Sequence, residues 1–307
     1  MRPFRFGLTT GWVASGESWL AMARRAEELG YDVLLVPDHL THLLSPMPAL
    51  AAAAAVTTRM RVGAYVFAND FRHPLVLARE AATLDVLSGG RSEFGIGAGW
   101  RVADYRQLGV AYDPAGRRID RLVEALGIIK RLLAGETVTH DGPHYRIGRA
   151  RIFPRPVQKP RPPIMLGGGG PRMLRLAARE ADIVSFIPQF NAAGRPILGQ
   201  ATERALVDRV AMVRAAAGGR FDQLELNVFV AAAGMVGSGN SLAGSVAAGV
   251  LAALAAPVGS PYVLHGTRAR LREILERRRE RLGISYYGIP QPAMESMAPL
   301  VEDLAGR

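Results

Sequence analysis

The chain has 307 residues, 49% of them hydrophobic, which is enough to bury the core of one large α/β domain or of two smaller ones. It contains no cysteine, which excludes disulfides, thiolate metal ligands and thiol nucleophiles and suits a reducing cytoplasm. The net charge is +11, but the arginines are spread along predicted helix faces without interleaved aromatic residues, so we expect no nucleic-acid partner.

Short apolar runs alternate with helical patterns along almost the whole chain. The predicted strands cover residues 4–8, 33–36, 61–66, 92–97, 164–166, 183–186, 224–230 and 285–289. The helical patterns between them cover residues 18–29, 48–57, 74–87, 116–134, 172–180, 203–216 and 267–282. Such alternation predicts a parallel sheet. Eight units in 307 residues predict a (β/α)8 TIM barrel, and an open doubly wound sheet is the alternative.

Two insertions interrupt this alternation, after strands 4 and 6. Residues 135–163 contain a His-Asp-Gly-Pro-His-Tyr turn at 140–145, which predicts a small hairpin, followed by a proline-rich approach to the fifth strand. Residues 188–199 follow the sixth strand and could form a mobile lid. We expect both insertions to lie near the working end of the barrel.

A long uncharged stretch, residues 226–267, imitates a membrane span in its hydropathy. Glycine and serine residues break it into pieces that are too short to cross a bilayer, so the pattern predicts a buried strand, a turn and an alanine-rich helix. The N-terminal residues also lack the apolar region of a secretory signal. We therefore expect no membrane association.

Four consecutive glycines are the strongest indication of a ligand site. Gly167, Gly168, Gly169 and Gly170 follow a predicted strand, and Pro171 opens a predicted helix. Glycines let a ligand approach the backbone closely, and the free N–H groups of a helix N-terminus bind anions, usually phosphate. The pattern favours a phosphate cradle over a flexible connector.

Active sites of TIM barrels form where strands end and the following loops begin. Asp38 and His39 follow the second strand, and His39 is the best acid–base candidate because histidine titrates near neutrality. A histidine that only caps the next helix is the alternative. The sequence has no His-Glu-x-x-His motif or tight carboxylate cluster, so we expect no catalytic metal. It also lacks the Gly-x-Ser-x-Gly elbow of serine hydrolases.

A second glycine-rich loop, GIGAGW at residues 95–100, follows the fourth strand. It does not match the Gly-x-Gly-x-x-Gly fingerprint of dinucleotide-binding folds, because Trp100 occupies the position of the last glycine. We expect these small residues to let a flat ring lie against the backbone, with Trp100 forming a wall beside it.

Four motifs occur in a characteristic order and spacing: VPDH at 36–39, LSGGR at 87–91, GIGAGW at 95–100 and GGGGP at 167–171. Together they resemble the bacterial luciferase-like superfamily, and within it the oxidoreductases that use coenzyme F420, a deazaflavin. The resemblance extends from residue 4 to about residue 289. It implies one TIM-barrel domain over residues 1–307, with F420 at the carboxyl-terminal mouth and FMN as the alternative cofactor.

The resemblance also implies roles for individual residues. His39 would lie beside the redox-active ring as the catalytic residue, with Asp38 near the polar edge of the ring. The third strand would end in a non-proline cis peptide, here between Tyr65 and Val66, that bulges against the ring. The remaining cofactor contacts would come from Ala98, Gly99, Gly167, Gly168, Gly169, Gly170 and Arg172, and the substrate contacts from Trp12, Asn69 and Trp100.

The implied function is hydride transfer between F420 and an organic substrate, with His39 stabilising charge or moving the accompanying proton. An FMN-dependent monooxygenase of the same superfamily is the alternative, and a barrel that binds cofactor without turnover is a third possibility. The glucose-6-phosphate dehydrogenases of this family carry glutamate where this chain has Trp100 and tryptophan near the position of Leu43. Both differences argue for an apolar or bulky substrate. The resemblance further implies a homodimer, for which the helix at 48–57 is a candidate contact.

Overall fold

The computed structural model describes residues 1–190, 197–236, 243–244 and 259–307. Within these residues, eight parallel strands close into a barrel with helices between successive strands, which confirms the predicted TIM barrel. The barrel strands are β1 Arg5–Thr9, β2 Val33–Val36, β3 Arg61–Ala64, β4 Ser92–Gly97, β5 Ile164–Gly168, β6 Ile183–Phe186, β7 Glu225–Phe229 and β8 Ile284–Pro290.

Each barrel strand pairs with its neighbours in chain order, and β8 returns to β1 with Arg5 opposite Tyr286 and Thr9 opposite Pro290. All of these pairings are parallel. A closed sheet has no edge strand, and the carboxyl ends of all its strands meet at one mouth.

The helices of the described residues cover the outside of the barrel. They are α1 Gly16–Glu28, α2 Pro46–Val56, α3 Pro74–Leu87, α4 Val102–Leu108, α5 Ala115–Leu133, α6 Pro171–Glu180, α7 Glu203–Ala217, α8 Arg268–Leu282 and α9 Met294–Leu304. Gly30 and Gly283 follow α1 and α8 with φ angles of +84° and +78°, the left-handed conformation that ends a helix just before a strand. None of the helices in these ranges is long and apolar enough to cross a bilayer.

In the described ranges, two short sheets lie outside the barrel. The predicted hairpin is present as antiparallel strands Val138–Asp141 and Arg146–Ala150. The strand Ala232–Met235 pairs with Val263–Gly266 and with Ala243–Gly244, and neither of the two longer strands was predicted. The predicted alanine-rich helix after β7 falls largely on residues 245–258, and half of the predicted lid at 188–199 falls on residues 191–196. Both segments lie outside the described residues.

The turn of the hairpin packs against the side of α5. Glu124 of α5 accepts hydrogen bonds from the backbone N–H groups of His144 and Tyr145 and lies 2.8 Å from His140 Nε2. These bonds attach the turn to the side of α5. This position could not be predicted from the sequence, because it depends on one carboxylate of a helix outside the insertion.

The floor of the barrel is charged. Arg5 donates to Glu93 and to Glu225, and Arg61 donates to Glu93 over 2.9 Å. Burial alone raises the pKa of Glu93, but the guanidinium groups of Arg5 and Arg61 outweigh that effect and lower it. The floor is therefore a compact ion-pair network, and the open end of the barrel is the opposite one.

The pairing of β3 with β4 contains a bulge. Gly63 lies opposite Glu93, and Phe67 lies opposite Ile96. Phe67 is four residues after Gly63, but Ile96 is only three residues after Glu93, so the segment that continues β3 contains one extra residue. The bond between Tyr65 and Val66, inside this bulge, is cis, which the family resemblance had implied. The bulge directs Val66 toward the mouth, where Gly95, Gly97 and Gly167 leave room for its methyl groups.

Gly95 allows the close approach of the two backbones at this point, because a Cβ atom there would overlap the carbonyl group of Ala64. We therefore expect Gly95→Ala to reduce the free energy of unfolding by about 2 kcal/mol or more, measured by chemical denaturation. Gly127→Ala is the matched control, since Gly127 is exposed within α5 with open space around it and should gain about 0.5–1 kcal/mol. Equal effects of the two substitutions would contradict the tight contact between β3 and β4.

Candidate active site

A cleft of about 640 Å³ opens at the carboxyl ends of β2 to β6. The loops after these strands supply most of its lining, and α4, α5 and α6 supply the rest. The structure brings together most of the residues predicted from sequence, namely Asp38, His39, Tyr65, Val66, Ala98, Gly99, Trp100, Gly167, Gly168, Gly169 and Gly170.

Asp38 lines the cleft, but its carboxylate is hydrogen-bonded to other groups of the protein. Arg72 donates from Nη1 to Oδ2 over 2.6 Å and from Nη2 to Oδ1 over 3.2 Å. The backbone N–H of Ala68 also donates to Oδ2, over 3.0 Å. Asp38 therefore ties the end of β2 to the segment that follows the bulge and holds the bulge in position.

His39 is held by a buried acid that the sequence analysis did not identify. Its Nδ1 lies 2.7 Å from Oδ2 of Asp104 in the first turn of α4, and Arg101 donates to Oδ1 of the same carboxylate over 2.7 Å. His39 also contacts Trp100, with the two rings perpendicular and their centroids 5.6 Å apart. The imidazole is thus fixed from two sides at the wall of the cleft.

The hydroxyl of Tyr65 points down into the barrel and not into the cleft. It donates to Oδ1 of Asn227 over 2.6 Å and lies 3.0 Å from the Ser185 hydroxyl. Burial raises the pKa of Tyr65, so the hydroxyl stays protonated at neutral pH. Tyr65 therefore anchors one side of the cis bond while Val66 forms the surface presented to the cleft.

The glycine run opens into the cleft only at its end. Added Cβ atoms at Gly168 and Gly169 would collide with Met173 and with the carbonyl oxygen of Ile187, so these glycines permit tight packing of β5 against its neighbours. At Gly170 the nearest atom would be Gln189 Nε2 at 3.7 Å, which leaves space on the cleft side. Gly170 precedes α6, whose first turn leaves N–H groups without intrahelical partners.

Three predicted residues do not reach the cleft. The guanidinium of Arg172 pairs with Asp120 and donates to the carbonyl oxygen of Gly116 over 2.9 Å, both on α5. Asn69 is buried and donates to the Tyr145 hydroxyl of the hairpin. The side chain of Trp12 is 62% exposed and is absent from the cleft lining.

The outer part of the cleft is aromatic. Trp100 and Phe190 stack with centroids 4.7 Å apart and an angle of 20° between the rings. The cations among the described lining residues are Arg101 and Arg118, and both are engaged. Arg101 pairs with Asp104, and Arg118 donates to the Gly99 carbonyl and lies over the ring of Tyr112. This side of the cleft offers apolar surface and no unpaired cation within the described residues.

The cleft residues that were not predicted from the sequence lie in short or irregular segments. The histidine–acid contact joins positions 65 residues apart, and α4 has only seven residues, which is too short for a clear helical period. Arg101 and Asp104 could have indicated it, because the residue before a helix lies close to the third residue of the first turn, where their side chains can pair. Phe190 is the first aromatic residue after β6, a position where TIM-barrel loops carry functional groups.

Comparisons with known proteins identify a family to which most of this chain is similar. The luciferase-like monooxygenase family model matches residues 4–277. An F420-dependent glucose-6-phosphate dehydrogenase of Microbacterium testaceum is 38% identical over 193 residues, covering 59% of this chain and 55% of that protein. The chain therefore matches only about half the length of this curated relative.

Solved structures show the same fold at lower identity. The F420-dependent tetrahydromethanopterin reductase of Methanopyrus kandleri superposes with a TM-score of 0.77 at 18% identity, over 98% of this chain and 99% of that one. A monooxygenase from Streptomyces bottropensis has a TM-score of 0.74 at 24% identity, over 97% and 96%. With the family model matching most of its length, this chain belongs to the luciferase-like monooxygenase family.

Proposed function

We propose that this protein is an F420-dependent oxidoreductase that transfers a hydride between the deazaflavin and a small, neutral, largely apolar substrate. The observation that carries the proposal is the arrangement within one cleft of the Gly170 opening at the start of α6, the Val66 bulge and the Asp104-supported His39. Relatives named as F420-dependent glucose-6-phosphate dehydrogenases support the choice of cofactor.

The cleft fits a phosphate-bearing flavin analogue at its inner wall. The space beside Gly170 would admit a phosphate, and the first-turn N–H groups of α6 would donate to it. Val66, Ala98 and Gly99 form an uncharged surface on which a flat ring would lie. The floor of the barrel, by contrast, is closed by the ion pairs of Arg5, Glu93 and Arg61.

F420, when bound, supplies two-electron hydride chemistry in which the ring exchanges a hydride with a substrate carbon. The protein must then place the substrate and move a proton. Among the described lining residues, His39 has a side chain that can both accept and donate a proton. Asp38 is already engaged by Arg72 and serves to hold the wall in position.

The direct test uses the full chain, purified and reconstituted with F420 under anaerobic conditions, with loss or gain of the visible absorbance of the deazaflavin as the readout. We expect Gly170→Ala to weaken F420 binding roughly tenfold or more with an unchanged unfolding midpoint, because its methyl group would occupy the phosphate space. We expect His39→Ala to bind F420 normally but to lose hydride transfer by about 100-fold or more.

The alternatives predict different results in the same assay. Oxygen consumption with reduced FMN, and no reaction with F420, would show an FMN-dependent monooxygenase instead. Tight F420 binding without turnover over a broad panel of substrates would favour a non-catalytic carrier. The Gly127→Ala protein controls for effects of adding a methyl group outside the cleft.

The aromatic outer wall supports a neutral, apolar substrate. Trp100 and Phe190 offer stacking surface beside His39, and both described cations of the lining already have partners. A phosphorylated sugar would have to leave its charge unpaired here, which costs binding free energy. A cyclic unsaturated ketone or a similar flat neutral compound would instead bury apolar area against the two rings.

We expect turnover of a cyclic unsaturated ketone with reduced F420 to exceed that of glucose-6-phosphate with oxidised F420 by at least about 100-fold in kcat/KM. Trp100→Ala and Phe190→Ala should each lower kcat/KM for the neutral substrate by about tenfold. Trp12→Ala, an exposed tryptophan outside the cleft lining, is the matched control and should have no effect. Preference for glucose-6-phosphate would contradict the neutral-substrate proposal.

We also propose a homodimer formed through a groove between α2, α3 and residues 151–153. Leu87 and Phe153 expose 62% and 63% of their surface there, and Arg79 lies next to Glu80, so two copies related by a twofold axis could pair opposite charges. Light scattering after size-exclusion chromatography should show a wild-type dimer and a Phe153→Glu monomer. Val123→Glu, at an exposed site on α5 outside the groove, should remain dimeric, and a monomeric wild type would refute the proposal.

A further inference from the structure

We propose that Asp104 is a positioning residue for His39, which fixes the tautomer of the imidazole so that Nε2 is the atom that exchanges a proton in the cleft. This inference rests on the proposed role of His39 in hydride transfer. It adds a residue from a separate helix, α4, together with Arg101 that immediately precedes it.

The imidazole of His39 is in direct contact with the carboxylate of Asp104. Nδ1 of His39 lies 2.7 Å from Oδ2 of Asp104. An ionised carboxylate can only accept hydrogen bonds, so Nδ1 must carry the hydrogen. In the neutral imidazole this leaves Nε2 with a free lone pair. Within the part of the chain that the structure describes, no hydrogen bond engages Nε2 of His39.

The carboxylate of Asp104 is buried and has two partners. Asp104 is 1% exposed, so water cannot solvate its charge. Arg101 supplies the compensating charge, donating to Oδ1 over 2.7 Å. Each carboxylate oxygen therefore has one partner, His39 on one side and Arg101 on the other. Such paired, hydrogen-bonded burial is the arrangement in which a buried charge is tolerated.

The other charged groups around His39 are paired with other residues. Asp38, the residue before His39, is neutralised by Arg72, and Arg118 is engaged by backbone carbonyls and by Tyr112. Trp100, whose ring is perpendicular to that of His39, carries no charge. Asp104, balanced by Arg101, is thus the carboxylate in direct contact with the ring, and it stabilises the imidazolium that forms when Nε2 takes a proton.

In both reaction directions, one hydride and one proton move together between the substrate, F420 and His39. During substrate oxidation, a carbon of the substrate loses a hydride to the deazaflavin and its hydroxyl loses a proton to Nε2. During reduction, the substrate gains the hydride and then the proton from Nε2–H. Asp104 stays ionised throughout and holds Nδ1–H, so no proton passes to it.

The first measurement needs no cofactor. Long-range proton–nitrogen correlation spectra of the histidine rings should show His39 as the Nδ1–H tautomer in the neutral wild-type protein, with His39→Ala identifying its signals. In Asp104→Asn the Nε2–H form should become populated, because an amide can accept or donate at this position. Glu124→Gln is the matched control: it removes the carboxylate 2.8 Å from His140 Nε2, so it should change the His140 signals and leave those of His39 unchanged.

The second measurement is the rate of hydride transfer as a function of pH with F420 bound. Asp104→Asn should lower kcat by about 10- to 100-fold with little change in F420 affinity, and Asp104→Glu should recover part of the loss. His39 controls the acidic limb of the profile in substrate oxidation and the alkaline limb in ketone reduction. That limb should move to lower pH in Asp104→Asn, because the imidazolium loses its negative partner. It should move to higher pH in Arg101→Gln, because Asp104 is then no longer shared with a cation.

The outcomes separate the two proposals. A wild type without hydride transfer would refute the proposed function, and the spectra would still decide the role of Asp104. An unchanged His39 tautomer and an unchanged pH profile in Asp104→Asn would overturn the positioning role. If Asp104→Asn does not fold, Arg101→Gln decides the question, since an unmoved His39 limb of the pH profile in that protein would also overturn the positioning role.

Discussion

The close approach of β3 to β4 is the constraint on which the mouth of this barrel depends. Gly95 has no side chain, so the carbonyl group of Ala64 can occupy the space where a Cβ would lie. The extra residue on β3 is then accommodated as a bulge, and the bulge carries Val66 to the centre of the mouth. Without this contact, the surface proposed for the cofactor ring would not exist.

Asp38 and Asp104 hold two different parts of the cleft wall in position. Asp38 binds Arg72 and the N–H of Ala68, and so it holds the backbone that follows the bulge. Asp104 binds Arg101 and His39, and so it orients a side chain. Neither carboxylate is free to coordinate a ligand. Both instead keep their neighbours in one arrangement before any ligand arrives, which is how rigid sites reduce the cost of binding.

Much of the fold could be predicted from the sequence, because a barrel repeats one local pattern. All eight predicted strands coincide with barrel strands to within a few residues, and glycines end the helices before β2 and β8. The short helix Val102–Leu108 escaped prediction since seven residues give little periodicity, and Met294–Leu304 carries Pro299 inside the helix.

The site was predictable in part. The glycine run and Asp38-His39 stand at strand ends, so their meeting at one mouth follows from parallel strands. The partners of those residues do not follow, because they come from distant segments. Asp120 on α5 engages Arg172, the hairpin supplies Tyr145 for Asn69, and Gly97 makes room for Val66 where a flat ring had been expected. Long-range side-chain pairing has no local signature in a single sequence.

The most direct test of the account is a crystal structure of the full chain with F420 bound. We expect the cofactor phosphate within hydrogen-bonding distance of the N–H groups at the start of α6, the ring against Val66, and Nε2 of His39 facing the reacting side of the ring. A phosphate bound elsewhere, or a ring turned away from His39, would contradict the account.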